Sequence, residues 1–193
     1  MANTAIQWSG LLLIVGAALL GMAVVLISFN PVVNQVMSPR ISLLLLLSSI
    51  CLLLSLPALY ARQADAAGWI GLVGHALLQT GILLLVVIAA PPLLFPSLNA
   101  APGENSVFFL LGIAFTLGLL LTGIATLQAG VFPRGASILM LAATAGFFFV
   151  FFIAEFLPAG AGQVGSAILG VLLAFALAWI GLFLWKGSIE SIG

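Results

Sequence analysis

Long apolar runs, separated by short polar or proline-bearing breaks, make up almost the whole chain. A helix needs about 20 mostly apolar residues to cross the hydrocarbon core of a bilayer. Six runs meet that requirement, at approximately 9–28, 41–60, 69–90, 107–129, 136–157 and 164–185. Proline supplies much of the punctuation, because it removes a backbone donor and restricts the residue before it. Asn30-Pro31 ends the first run, Pro39-Arg40 precedes the second, and Pro91-Pro92 closes the third. Pro133-Arg134 precedes the fifth, Pro158 ends it, and Trp185-Lys186 ends the sixth. Pro57, one turn before the end of the second run, is expected to kink or terminate that helix. Near it, Ser48, Cys51 and Ser55 share one side of the helix.

Composition points the same way. Hydrophobic residues are 64% of the 193 positions and charged residues only 4%, against about 25% charged in an ordinary soluble domain. The predicted fold is therefore all-α: a polytopic membrane protein of six transmembrane helices packed as one compact bundle, spanning residues 1–193 as a single domain. The formal net charge is zero, which argues against a nucleic-acid partner or a polybasic lipid-binding tail. One cysteine, Cys51, excludes an intrachain disulfide and a cysteine metal cluster. The N-terminal MANTAIQWSG lacks a basic region, so the first run reads as a retained span.

The few cations set an orientation. Six spans put the N-terminus, the 61–68 and 130–135 loops and the C-terminus on one side, with Arg62, Arg134 and Lys186, and leave Arg40 on the other. The positive-inside rule then places both termini in the cytoplasm of an inner, or plasma, membrane. Trp8, Trp69 and Trp185 lie at span ends, where interfacial aromatics belong. The outer connection 91–106, with Leu93, Leu94 and Phe95, reads as an interfacial loop, with a lid over the bundle as the alternative. SPRISLLLL (38–46) and FPRGASILML (132–141) both place Pro-Arg before a span, the echo a three-plus-three inverted repeat would leave.

Small residues fall on narrow faces. Gly112, Thr116, Gly123, Thr126 and Gly130 share an arc of the fourth span, and Ser166, Gly170, Ala174 and Gly181 an arc of the sixth. Gly112, Thr116, Gly123, Thr126, Ser166, Gly170 and Ala174 are accordingly predicted to pack helices, since close approach is what associates helices in lipid.

Chemistry has few carriers. The only histidine, His75, sits in GWIGLVGHALLQTG (68–81) on a face with Gly71, Gly74, Leu78, Gln79 and Gly81. An ionisable group at membrane depth is a functional candidate, and Gln79, one turn on, is placed to hydrogen-bond a ring nitrogen. The competing reading makes His75 a neutral packing residue. Glu155 follows a phenylalanine belt about 28 Å along the fifth span, too far from His75 to touch it. Arg40 is a nearer partner for Glu155, as an interhelical ion pair at the outer surface. His75, Gln79 and Glu155 are the candidate ligand or substrate contacts, and no metal site and no cofactor are expected.

The passage GLLLTGIATLQAGVFPRGASILMLAATAG (118–146) carries a turn of the form Ala-Gly-x-x-Pro-Arg at Ala129 to Arg134. It resembles a pattern in uncharacterised six-span bacterial inner-membrane proteins, which implies a bacterial inner-membrane location and no assigned activity. HExxH, paired intramembrane aspartates and Gly-rich phosphate loops are absent, so an enzyme is not expected. The leading reading is a non-catalytic subunit or scaffold in a membrane complex, partnered by lipid and by other membrane chains or copies of itself. The alternatives are a transporter or permeation bundle for a small neutral or apolar solute, and single-histidine cofactor or pigment binding.

Overall fold

The computed structural model describes residues 2–29, 38–94, 104–153 and 160–187. Among these the protein is all-α. In chain order the helices are α1 (Ala2–Phe29), α2 (Pro39–Ala89), the single turn α3 (Pro91–Leu94), α4 (Glu104–Ala129), α5 (Arg134–Ile153) and α6 (Ala161–Gly187). Thr4–Phe29, Pro39–Ala89, Phe109–Ala129 and Ala161–Lys186 are long and apolar enough to cross a membrane, and Arg134–Val150 is a shorter apolar stretch. An apolar medium favours this class, because a helix satisfies its backbone hydrogen bonds within itself.

The second helix departs most from expectation. Its 51 residues would run about 76 Å if straight. Gly68 interrupts it at φ 56° and ψ −152°. Tyr60 and His75, fifteen residues apart and about 22 Å apart along a straight helix, instead stack with ring centroids 4.9 Å apart. The chain therefore reverses at Gly68, and α2 is a hairpin with arms at 39–67 and 69–89. Beyond its chain neighbours, no described atom lies within 4 Å of where a Cβ on Gly68 would sit, so conformation rather than space requires glycine. Any other residue there would bear roughly 1–3 kcal/mol of backbone strain.

One expectation is corrected here, and of the two outcomes expected at Pro57 one is removed. The 61–68 loop is helical through residue 67, because Ala61 to Ala67 is rich in helix formers and one glycine suffices for the reversal. Pro57 does not terminate its helix, which continues ten residues beyond it. It is exposed, and the Ser55 hydroxyl donates to the Leu52 carbonyl one turn earlier at 2.9 Å. Pro39 and Pro133 punctuate as predicted, whereas Asn30-Pro31 and Pro158 lie outside the described residues. Pro39 occupies the first turn of α2. Gly130, at φ 64°, closes α4 by donating its N–H to the Thr126 carbonyl. The Pro133 carbonyl accepts from Ala136 N at 3.0 Å as α5 begins. Residues 95–103 of the outer connection, and 154–157 of the fifth run, lie outside the described residues.

Two antiparallel seams organise the bundle. Along the first, Gly10 of α1 meets Gly181 and Trp185 of α6, Gly21 meets Ala174, and Gly170 meets Val24. Along the second, Gly74 and Gly81 of the second arm meet Thr122 and Phe115 of α4, while Gly118 meets the Leu78 backbone. A methyl on Gly10 would lie 2.7 Å from the Gly181 carbonyl oxygen, and one on Gly74 would lie 2.7 Å from Thr122 N. These are backbone contacts, which no side-chain rotation relieves. Lesser contacts complete the ring. Gly16 of α1 faces Cys51 and Leu52 of the first arm, where the Ser48 hydroxyl donates to the Gly16 carbonyl at 2.8 Å. Gly123 of α4 packs on Leu141 and Met140 of α5, and Gly146 of α5 on Leu169 of α6. Leu13, Leu56, Leu59, Ile82, Leu119, Met140, Ile180 and Leu184 fill the interior.

Two glycines of one helix separate close approach from mere smallness. Gly118→Ala, against the Leu78 backbone, should cost roughly 1–3 kcal/mol of stability by overpacking. Gly112→Ala, with no described atom within 4 Å, should change stability by less than about 0.5 kcal/mol. Reversible unfolding in mixed detergent micelles measures both, and equal costs would contradict the seam.

Candidate functional site

A buried polar cluster lies where the Gly68 hairpin meets α4. Gln63, on the first arm, is 1% exposed. The Thr126 hydroxyl of α4 contacts its Oε1 at 2.9 Å and the Thr122 carbonyl at 2.6 Å. One hydroxyl carries one proton, so both contacts are satisfied when the amide is turned with its NH2 donating to Thr126 and the hydroxyl donating to the carbonyl. Tyr60 stands one turn earlier than Gln63 on the same face, with its ring stacked on His75 at an interplanar angle of 24°. Gly71, between the arms, would place a methyl 2.5 Å from the Ala67 Cβ and 3.5 Å from the Ala125 Cβ. The small residues thus bring three helical segments together at this level.

His75 is buried, and its Nδ1 has no hydrogen-bond partner among the described residues. The expected bond from Gln79 to one of the ring nitrogens is not made among the described residues. The ring turns across the hairpin onto Tyr60 instead of along its own helix, and Gln79 is half-buried. The Thr122 hydroxyl is likewise buried and unpartnered. Arg62 and Asp65, near the turn, are both exposed. No group of three or more metal-ligating side chains occurs among the described residues.

The other predicted residues are dispersed. Glu155, and with it the Arg40–Glu155 pair, lies outside the described residues, while Arg40 is exposed at the start of α2. Gly123 faces α5, Thr126 faces the first arm, and Gly170 and Ala174 face α1. Thr116 and Ser166 are half-buried. Gly112 is exposed and meets no described atom, so it is corrected from a packing position to a surface one. The reason is angular: α4 touches the second arm, the first arm and α5, so its contacts spread over several faces rather than one arc.

Sequence reasoning missed Tyr60, Gln63 and Thr122. Gln63 and Tyr60 carried a signal, three-residue spacing on one helix face, that the assumption of a loop after residue 60 concealed. An apolar groove of about 540 Å³ on the outer side of the α1–α6 seam is lined by Ala18, Gly21, Met22, Val25, Leu26, Val171, Ala174, Phe175 and Ala178. It contains no polar side chain.

No protein-family model, no curated protein and no solved structure matches this chain.

The Gln63–Thr126 contact is testable by a double-mutant cycle with Gln63→Leu and Thr126→Val. Interhelical hydrogen bonds of this kind couple by about 0.6 kcal/mol on average, up to about 1.7, and burial on both sides places this pair in the upper half. Additive single effects would show that the two side chains do not interact.

Proposed function

We propose that the chain is a six-span, non-catalytic integral membrane subunit or scaffold that works in a complex with other membrane chains or copies of itself. Its two α2 arms count as separate spans, both termini face the cytoplasm, and the bacterial inner membrane is the location that the Ala129–Arg134 resemblance suggests. The single observation that carries the reading is the closure of both seams. Backbone stands against backbone at Gly10–Gly181 and at Gly118–Leu78, which leaves no width for a solute between those helices. The bundle is built to stay packed, and its exterior offers apolar surface.

The seams also support an inverted repeat. The first helix of the N-terminal half pairs antiparallel with the last helix of the C-terminal half, and the first of the C-terminal half pairs antiparallel with the last of the N-terminal half. Exchange of the two halves maps one seam onto the other, as a duplicated three-helix unit of opposite orientation requires. Pro39 and Pro133, each at the start of the middle helix of its half, obey the same exchange.

One observation favours the second reading, a bundle that binds or passes a small neutral solute. Tyr60, Gln63 and His75 gather polar groups beside α4. Arg62 and Asp65, the charged residues near it among those described, are exposed, so a charged solute is disfavoured.

Native mass spectrometry of the protein, extracted gently from its own membranes, separates the readings. The scaffold reading expects a mass above 19.9 kDa that further polypeptide accounts for. A lone chain overturns it, and a lone chain with a retained small molecule establishes the second reading in its place.

A further inference from the structure

We propose that the junction of the two α2 arms with α4 is a binding site for one small hydroxylic guest, a water molecule or the hydroxyl of a small alcohol, held between His75 Nδ1 and the Thr122 hydroxyl. The proposal does not depend on whether the chain is a scaffold or a transporter.

Two polar atoms set it up. Among the described residues, His75 Nδ1 and Thr122 Oγ1 are both buried without a partner, in side chains 9% and 1% exposed. Orphaned polar groups at such depth are costly, and native structures seldom leave them unmet. Thr122 has a ready alternative, the carbonyl one turn back on its own helix, and it does not take it. Thr126 and Thr144 do, at 2.6 and 2.7 Å from the Thr122 and Met140 carbonyls. The Thr122 oxygen, like those of Ser42 and Ser137, is left unpaired by its own helix.

The two atoms also belong to one junction. Gly74, the residue before His75, stands against Thr122 N. Thr122 lies one turn from Thr126 on the same face of α4, the face that reaches Gln63 of the first arm. His75 turns onto Tyr60 of that same arm, one turn from Gln63. Both orphans therefore belong to the same three-helix level, about 10 Å along the second arm from the exposed turn at Gly68. A small molecule at the end of the bundle has a short distance to travel.

The donor set selects the guest. A neutral imidazole presents one donor and one acceptor nitrogen, and a threonine hydroxyl can play either part. A guest that both donates and accepts through one oxygen satisfies the pair. A buried water typically makes about three hydrogen bonds. An ionic guest would find no opposite charge in the junction, because Arg62 and Asp65 are exposed.

The chain has a single histidine, so uniform 15N-histidine labelling reports His75 alone. In lipid bilayers, solid-state NMR should show a hydrogen-bonded Nδ1 with a cross-peak to an exchangeable guest proton. Water gives that cross-peak alone, whereas an alcohol adds carbon-bound protons that persist in 2H2O. Thr122→Val, which keeps shape and removes the hydroxyl, should abolish the cross-peak and shift Nδ1, and Thr122→Ser should retain both. The Tyr60–His75 ring contact serves as the check that each variant is folded. A wild-type Nδ1 without a guest cross-peak, or a spectrum that Thr122→Val leaves unchanged, overturns the proposal.

Discussion

Backbone-to-backbone approach between antiparallel helices is the constraint on which the rest of this structure depends. In a bilayer, an apolar side chain gains little by leaving lipid for another helix, so association rests on contact at short range and on interhelical hydrogen bonds. Gly10 against Gly181, and Gly118 against Leu78, supply that contact where a single methyl would force the helices apart. Leucine fills the remaining interior, but it follows the geometry that the glycines permit.

That constraint has a precondition in the reversal at Gly68. Only a folded α2 brings its second arm alongside α4, where Gly74 and Gly81 find Thr122 and Phe115. The same reversal lays Tyr60 over His75 and sets Gln63 against Thr126, so the packing seam and the polar junction arise from one turn. Polar groups collect there because three helical segments meet at one level and can satisfy one another. Gln63 is fully buried within this helical ring, and its amide would be costly without the Thr126 hydroxyl.

Much of this was legible in the sequence, and the failures have specific causes. Apolar runs near 20 residues, bounded by Pro39, Pro91 and Pro133, located the helical segments, because length and proline act locally. The apolar run stops at Tyr60, just before Arg62 and Asp65, and that set the expected end of the second helix. A helix that projects past an apolar core carries such charges without interruption, and Gly68 alone breaks it. That error hid Tyr60 and Gln63, since the register across a turn cannot be assigned when the turn is taken to be eight residues instead of one. His75 was correctly placed on a helix-contact face, whereas its neighbour came from the opposite arm rather than from Gln79. The single-arc treatment of α4 captured Gly123 and Thr126 and failed at Gly112, because a helix with three neighbours has no single packing face.

The reversal at Gly68 is the claim that the second seam and the polar junction both require, and a spin-label distance tests it directly. Leu54 and Leu83 are 59% and 53% exposed and lie on opposite arms of α2. Labels at these two positions, in a Cys51→Ala background within lipid bilayers, can be measured by double electron–electron resonance. A continuous helix would hold the two backbone positions about 44 Å apart. The hairpin brings them to less than half of that separation. A narrow distribution near the straight-helix value would contradict the hairpin, and with it the second seam and the polar junction.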